Sequence, residues 1–253
     1  MMGRHWHLFR VALQFFTRIP VRIDDWHPED LESASRYAPL VGVVVAIGAI
    51  LAYAVGLLSG SPVLAAFLSV MVSVVLTGAF HEDGLADAVD GLGGGQTPER
   101  VLAIMKDSRI GTYGTLALIA SIGLRTFALA ALPAALACLA ILLQHTWARA
   151  VSISLIGQLP YVQADQASKV KPVAKALHEA DRRFALLAGV WPALLLPGVL
   201  GIAALAAGWG IRLACVRGFR KRLGGYTGDL LGACEQLAEM AILLTLVCLW
   251  PYT

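Results

Sequence analysis

This 253-residue sequence predicts an all-α fold, a polytopic bundle of transmembrane helices, on three observations. Hydrophobic residues make up 58% of it and charged residues 15%, with a mean hydropathy of +0.70. A soluble domain carries about a quarter charged residues, so water is not this chain's only solvent. Several runs reach the roughly 20 apolar residues a helix needs to cross a bilayer. Lys and Arg collect in alternate connections between those runs, as the positive-inside rule requires.

Taken in order, Leu8, Val11, Ala12, Phe15, Phe16 and Ile19 follow helical spacing, with Arg10, Gln14 and Arg18 on another side. That pattern predicts an N-terminal amphipathic helix in the membrane interface, ending at Pro20. No small-residue cleavage signature follows, so a cleavable signal is not expected. About seven spans are predicted, over 37–58, 62–81, 112–131, 133–157, 183–200, 201–222 and 228–250, forming a single integral-membrane domain over 1–253. The fifth is short and holds Pro192 and Pro197. Small residues recur every four positions at Gly48, Ala52 and Gly56, and at Ala65, Ser69, Ser73 and Thr77, which predicts close helix packing.

With a cytoplasmic N-terminus, Arg4, Arg10, Arg18, Arg22 and Arg36 lie inside. So do Arg100, Lys106 and Arg109, then Lys169, Lys171, Lys175, Arg182 and Arg183, then Arg217, Arg220, Lys221 and Arg222. The opposite turns carry no Lys or Arg, and seven spans place the C-terminus outside. Cys138, Cys215, Cys234 and Cys248 are scattered, without metal spacing, and read as small hydrophobes. Nucleic acid is excluded as a partner because no basic domain with interleaved aromatics is present.

The densest chemical signal runs from His81 to Gly91, directly after the second apolar run. At about 100° per residue, Asp83, Asp87 and Asp90 share one helix face. Three carboxylates there repel unless a cation sits between them, and hard oxygen donors favour Mg²⁺ or Mn²⁺. The plain alternative is a solvated acidic helix end. His81 points away from that face, as a general base or an interfacial cap. Glu82 lies about 100° off it and is given no role. Gly91 and Gly93–Gly95 read equally as a phosphate cradle or as a helix stop with a linker. Lys106 and Arg109 beside a helix N-terminus suggest a pyrophosphate clamp. Ordinary inside-positive flanking explains both cations, though not Asp107, Gly111 or Gly114. Thr227 or Asp229 is a candidate N-cap of the last span. Glu235 and Glu239 lie inside it, where ionisable groups are costly and usually functional.

At these residues the sequence resembles the adenosylcobinamide-GDP ribazoletransferase (cobalamin synthase) family. The resemblance rests on Phe16–Pro20, Pro39–Gly42, His81–Asp87 with Asp90 and Gly91, and Met105–Arg109 with Gly111 and Gly114. Arg149, Gly225–Asp229, Gly232 and Ala233 complete it. It implies the last assembly step of the B12 nucleotide loop in the cytoplasmic membrane, with Mg²⁺ as cofactor. Adenosylcobinamide-GDP and α-ribazole, or its 5′-phosphate, would give adenosylcobalamin, or its 5′-phosphate, and GMP.

On this reading Asp83, Asp87 and Asp90 hold the metal. His81, Asp107 and Asp229 are catalytic, and Lys106, Arg109, Gly111, Gly114 and Arg149 bind substrate. The segment Tyr161–Pro172 departs from the family's Gly-rich pattern. Beyond membrane lipid and the two substrates, no partner or oligomeric state is implied. Asp87–Gly91 echoes the CDP-alcohol phosphotransferases, but the Ala-Arg that follows there is absent. A prenyltransferase would need a second Asp-rich motif. A secondary transporter would place its site near the midplane rather than at one face. Arg125 and Arg149 lie inside spans, and counting residues from the helix ends predicts that Arg149 pairs with Glu235 or Glu239. Arg125 matches that depth less well.

Overall fold

A computed structural model describes residues 2–23, 27, 30–162 and 177–252. The described residues form α1 (Met2–Phe16), α2 (Asp30–Ala34), α3 (Ala38–Leu57), α4 (Pro62–Thr77), α5 (Phe80–Gly94), α6 (Pro98–Met105), α7 (Thr112–Ala131), α8 (Ala134–Ile153), α9 (Glu179–Val190), α10 (Leu200–Leu223) and α11 (Gly228–Leu249). Lys169, Lys171, Lys175 and the segment from Gln163 to Pro172 lie outside the described residues.

Leu8, Val11, Ala12 and Phe16 of α1 are buried, as the periodicity predicts. They are buried against protein, since α1 packs on α2 and α3. The helix stops at Phe16, short of Pro20. The Thr17 hydroxyl donates to the Leu13 carbonyl at 2.6 Å. On the polar side Arg10 donates to the Arg22 carbonyl and Gln14 to the Val21 carbonyl, folding the following segment back along the helix.

Five helices are long and apolar enough to cross a membrane, or six counting α4 and α5 together as one bent span. The expected count of about seven falls short at two places. The fifth predicted span is α9, only 12 residues, followed by a 3₁₀ turn at Trp191–Leu195. Twelve residues rise about 18 Å, short of a ~30 Å hydrocarbon core. A Cβ at Gly189 would press on Ala150 and on the Thr146 carbonyl, so α9 ends against the C-terminal half of α8.

The second predicted span breaks at Gly78 and Ala79, both in the left-handed region at φ 66° and 59°. There α5 turns 90° away from α4. The Arg18 side chain fills the space where a Cβ of Gly78 would stand, and the Arg18 amide donates to the Leu76 carbonyl at 2.7 Å.

The predicted small-residue stripes do pack. Ala65, Ser69, Ser73 and Thr77 are buried, and Gly56 lies directly on Ala65 across the α3–α4 contact. Gly42 lets α3 lie on the His145 carbonyl of α8. α8 is the central strut, buried almost throughout its second half. α11 packs on α5, α7, α8 and α10. The N-termini of α7 and α11 and the whole of α5 lie at one end of the bundle, and α11 carries the chain to the other.

Candidate active site

The first turn of α11 is capped by Thr227, whose hydroxyl accepts from the Leu230 amide at 3.3 Å. Asp229, the other candidate cap, is thereby released to face α5. The two helices cross where Gly84 meets the Asp229 backbone, at 2.9 Å from the Asp229 carbonyl to an added Cβ, and meets Gly232 beside it. Tyr226 is fixed by strand-like pairing: its amide donates to the Pro160 carbonyl at 2.9 Å and its carbonyl accepts from Val162 at 3.0 Å. This brings Asp83, Asp87 and Asp229 within electrostatic reach of one another. Asp83 is exposed and Asp87 half-buried. None of the three has a basic partner among the described residues.

Asp90 shares the face but does a different job. Its Oδ2 accepts from the Gly111 amide at 2.7 Å and its Oδ1 from the Gly114 amide at 2.8 Å. The carboxylate therefore seats the N-terminus of α7, whose free N–H groups and dipole favour an anion. A Cβ at Gly111 would stand 2.5 Å from Asp90 Oδ1, and one at Gly114 would also collide with the carboxylate. Both glycines, expected to bind substrate, are small so that Asp90 can approach.

The Gly-rich run resolves as a helix end with close packing. Gly91 and Gly95 lie against Val101 and Met105, and Gly93 against the Tyr113 ring. The Leu92 and Gly95 carbonyls accept from Arg222 of α10 at 2.9 and 2.8 Å.

Lys106, Asp107 and Arg109 sit in the link between α6 and α7, two residues before the glycine that Asp90 holds. Lys106 and Arg109 are exposed. Asp107 pairs with Arg109 through contacts of 2.7 and 3.0 Å, and these bonds hold its carboxyl down at about 2.

His81 and Arg149 lie deeper. His81 Nε2 is 2.6 Å from Glu235 Oε2, and its ring stacks at 6.4 Å on Phe16. Arg149 Nη1 donates to the His145 carbonyl at 2.8 Å and stands 3.2 Å from Glu235 and 3.6 Å from Glu239. The depth argument for Arg149 therefore holds. It failed for Arg125, which pairs with Glu239 at 2.8 Å and with Glu82 at 2.9 Å, both fully buried. Glu82 and His145, 2.7 Å from Glu239, are functional-network residues that sequence reasoning missed. The available signal was their charge inside apolar surroundings, which in a membrane calls for a partner. The whole cluster sets two guanidiniums and two imidazoles against three carboxylates, tying α5, α7, α8 and α11 together beneath the aspartates.

Among the described residues no three His, Cys, Asp or Glu side chains converge into a ready-made metal cage. Mg²⁺ does not need one, because it is usually held by one or two carboxylates together with waters and substrate phosphates. Asp83 and Asp87 offer hard oxygen donors without hydrogen-bond partners among the described residues, with Asp229 beside them, its Oδ2 accepting from the Thr227 hydroxyl at 3.5 Å, and they fit that pattern. Asp90, both of whose oxygens are engaged, fits it less well.

Comparison with known proteins is consistent along the whole chain. A family model described as cobalamin-5-phosphate synthase matches residues 8–247. An adenosylcobinamide-GDP ribazoletransferase of Shewanella amazonensis is 41% identical over 252 residues, covering 98% of this chain and 97% of that protein. One of Leptothrix cholodnii is 44% identical over 253 residues, covering 94% and 93%. No solved structure matches.

Proposed function

Because this chain belongs to the cobalamin-5-phosphate synthase family, we propose that its aspartate face is the phosphoryl-transfer centre of an adenosylcobinamide-GDP ribazoletransferase. The reaction moves the cobinamide-phosphate group of adenosylcobinamide-GDP to a ribazole-type acceptor and releases GMP, the final step of B12 assembly. A ribose hydroxyl of the acceptor, other than the 5′ oxygen that carries phosphate in one of the two acceptors, gives up its proton as its oxygen forms a bond to the cobinamide-linked phosphorus. The bond from that phosphorus to the oxygen of GMP breaks, and the phosphorus stays on the cobinamide arm.

The observation that carries this reading is the group of three carboxylates, Asp83, Asp87 and Asp229, close together at one end of the bundle without a basic partner among the described residues. Such a group calls for a cation shared with a diphosphate. Mg²⁺, held by Asp83 and Asp87 with Asp229 alongside, would supply charge neutralisation on the phosphate oxygens and the departing GMP. Asp90 sets where the α7 N-terminus stands relative to these carboxylates. Lys106 and Arg109 lie on the link leading into that terminus, and Asp107 orients Arg109, so both cations would draw in the pyrophosphate. His81 and Arg149, fixed by Glu235, line the crevice beside Gly228.

The bundle is a multi-pass membrane protein, and we place it in the cytoplasmic membrane with the aspartate end facing the cytoplasm. Supporting this, Arg100, Lys106, Arg109 and the Arg217–Arg222 group all lie toward that end. The turns at Ser59–Ser61 and Leu132–Pro133 carry no Lys or Arg.

The test is GMP release by purified enzyme given adenosylcobinamide-GDP and either α-ribazole or its 5′-phosphate, with Mg²⁺ titrated against a chelator. Asp83→Asn and Asp87→Asn should each lose most turnover and require more Mg²⁺, because amides are weaker ligands. Full turnover by both at ordinary Mg²⁺ refutes the metal assignment. Absence of GMP release by the wild type with either acceptor refutes the function itself.

A further inference from the structure

An open groove of about 430 Å³ runs along α10, lined by Ile211, Cys215 and Gly218 of that helix, by Leu237 of α11 and by Leu92 of α5. Ile211, Cys215, Gly218 and Arg222 follow one another at steps of four, three and four residues, so a single face of α10 forms the floor. From Ile211 to Arg222 that floor is about 16 Å long, close to half of a ~30 Å hydrocarbon core. A Cβ at Gly218 would meet nothing within 4 Å, so the floor is open there. The groove is about one leaflet deep.

Arg222 stands at one end of this floor, one residue before the end of α10. It is exposed, and its Nη2 donates to the Leu92 and Gly95 carbonyls at 2.9 and 2.8 Å, where α5 ends. Its Nε and Nη1 have no partner among the described residues. Lys221, also exposed, lies within about 60° of Gly218 around the helix. Neither Lys221 nor its neighbours Arg217 and Arg220 pair with a carboxylate among the described residues. No acidic side chain lines the groove. A larger groove of about 630 Å³, between α4 and α7, has no basic lining residue. Apolar surface alone therefore does not set the α10 groove apart; the cations at its end do.

We propose that this groove seats one chain of an anionic phospholipid, with the lipid phosphate on Arg222 and Lys221. An apolar floor of one leaflet's depth matches an acyl chain lying along α10. Two cations at its end match a phosphate at headgroup level, as in basic pockets between transmembrane helices that hold acidic headgroups. A zwitterionic lipid brings the same phosphate together with a cation, which these two side chains repel, so the site selects by net charge. With the phosphate on Nε and Nη1, Nη2 stays on the last carbonyls of α5. One guanidinium then joins the headgroup to the end of the helix that carries the acidic row. The site stands independently of the reaction assigned to that row.

The experiment adds phosphatidylglycerol, or phosphatidylcholine with the same chains, to the full-length protein in a non-ionic detergent and reads bound lipid by native mass spectrometry. The wild type should bind phosphatidylglycerol at least about tenfold more tightly, given two cations at the headgroup. Equal binding overturns the proposal. Lys221→Gln, which leaves the Arg222 contacts with α5 in place, should weaken phosphatidylglycerol by about fivefold, the share of one cation, and an unchanged affinity overturns the headgroup assignment. Gly218→Leu keeps every charge and fills the floor, so it should also weaken phosphatidylglycerol by about fivefold or more, through lost chain burial. Gly123→Leu, in the groove between α4 and α7, should leave binding as it was. Undiminished binding by Gly218→Leu reduces the effect to surface charge and overturns the site, as does an equal loss in Gly123→Leu. Should Gly218→Leu not fold, Ala214→Phe fills the same groove from the neighbouring turn. Glycerol phosphate, which has the headgroup's phosphate without a chain, should not displace the lipid; displacement would show a phosphate site and overturn the lipid. A change of oligomeric state in Gly218→Leu with lipid binding intact would assign the groove to a second copy of the chain, and overturns the proposal too.

Discussion

Replacing Arg125 with Leu should be the most damaging single change in the bundle, and the structure says which partner suffers. Arg125 is 1% exposed and holds Glu82 at 2.9 Å and Glu239 at 2.8 Å. Glu239 keeps His145 at 2.7 Å and Arg149 at 3.6 Å when Arg125 is lost. Glu82 has no second basic partner among the described residues, and its Oε2 already lacks a hydrogen bond. Breaking a buried pair from one side costs about 3–5 kcal/mol, mostly for the stranded charge. At about 2–4 °C per kcal/mol for a chain of this size, the melting temperature should fall by roughly 6–20 °C.

The assay is thermal unfolding of detergent-solubilised enzyme followed by scanning fluorimetry. Arg125→Leu with Glu82→Leu should recover more than half of the loss, because replacing a buried pair by apolar side chains is often neutral. A single variant melting within about 2 °C of the wild type, well below the expected fall, would refute the reasoning. So would a double variant less stable than the single one.

Asp90→Asn should differ in kind from its neighbours. An amide cannot accept from both the Gly111 and Gly114 amides, so stability should drop by about 1–3 kcal/mol while the Mg²⁺ concentration for half-maximal turnover stays put. A Mg²⁺ titration beside a melting curve checks both halves. For Asp107, whose folded carboxyl sits at about 2 below the usual value near 4, the pair with Arg109 is complete above the unfolded value and is lost only as pH falls through about 2. Any acid limb of the activity profile between pH 5 and 7 should therefore persist unmoved in Asp107→Asn, and a shifted limb would contradict the assignment. In a cysteine-free background, Ser61→Cys should react with an impermeant thiol reagent on intact cells while Gly94→Cys does not. The reverse pattern would invert the membrane orientation.

Helix identity and the convergence of the motifs at one end were legible because they rest on local patterns. Hydropathy placed α3, α7, α8, α10 and α11 within a few residues. Pairing of Arg149 with Glu235 was legible because both lie a countable distance below recognisable helix ends. Arg125 was misplaced because the count treated the helices as straight and parallel. Its partner Glu82 sits on α5, which lies across the bundle, and the 100° that separates Glu82 from the aspartates aims it inward. The Asp90 contact with Gly111 and Gly114 joins parts of the chain 21 and 24 residues apart, and no periodicity reports it. In the fifth apolar stretch, hydropathy registered 183–200 as a span. The prolines divide it, and only packing against α8 shows where α9 stops.

The turn at Gly78 and Ala79 also decides how deep the chemistry sits. From Asp83 to Asp90 the chain advances seven residues, about 10 Å of helix. Had α5 continued along the axis of α4, that distance would have been spent on depth, carrying one carboxylate toward water and another toward hydrocarbon. Turned through 90°, the same helix lays its acidic row across the α4 axis instead. The row then runs across the bundle rather than down it, and a diphosphate stretched along it stays level. A water-soluble nucleotide and a large amphipathic corrin ring can thus be brought together without either being drawn into the acyl chains.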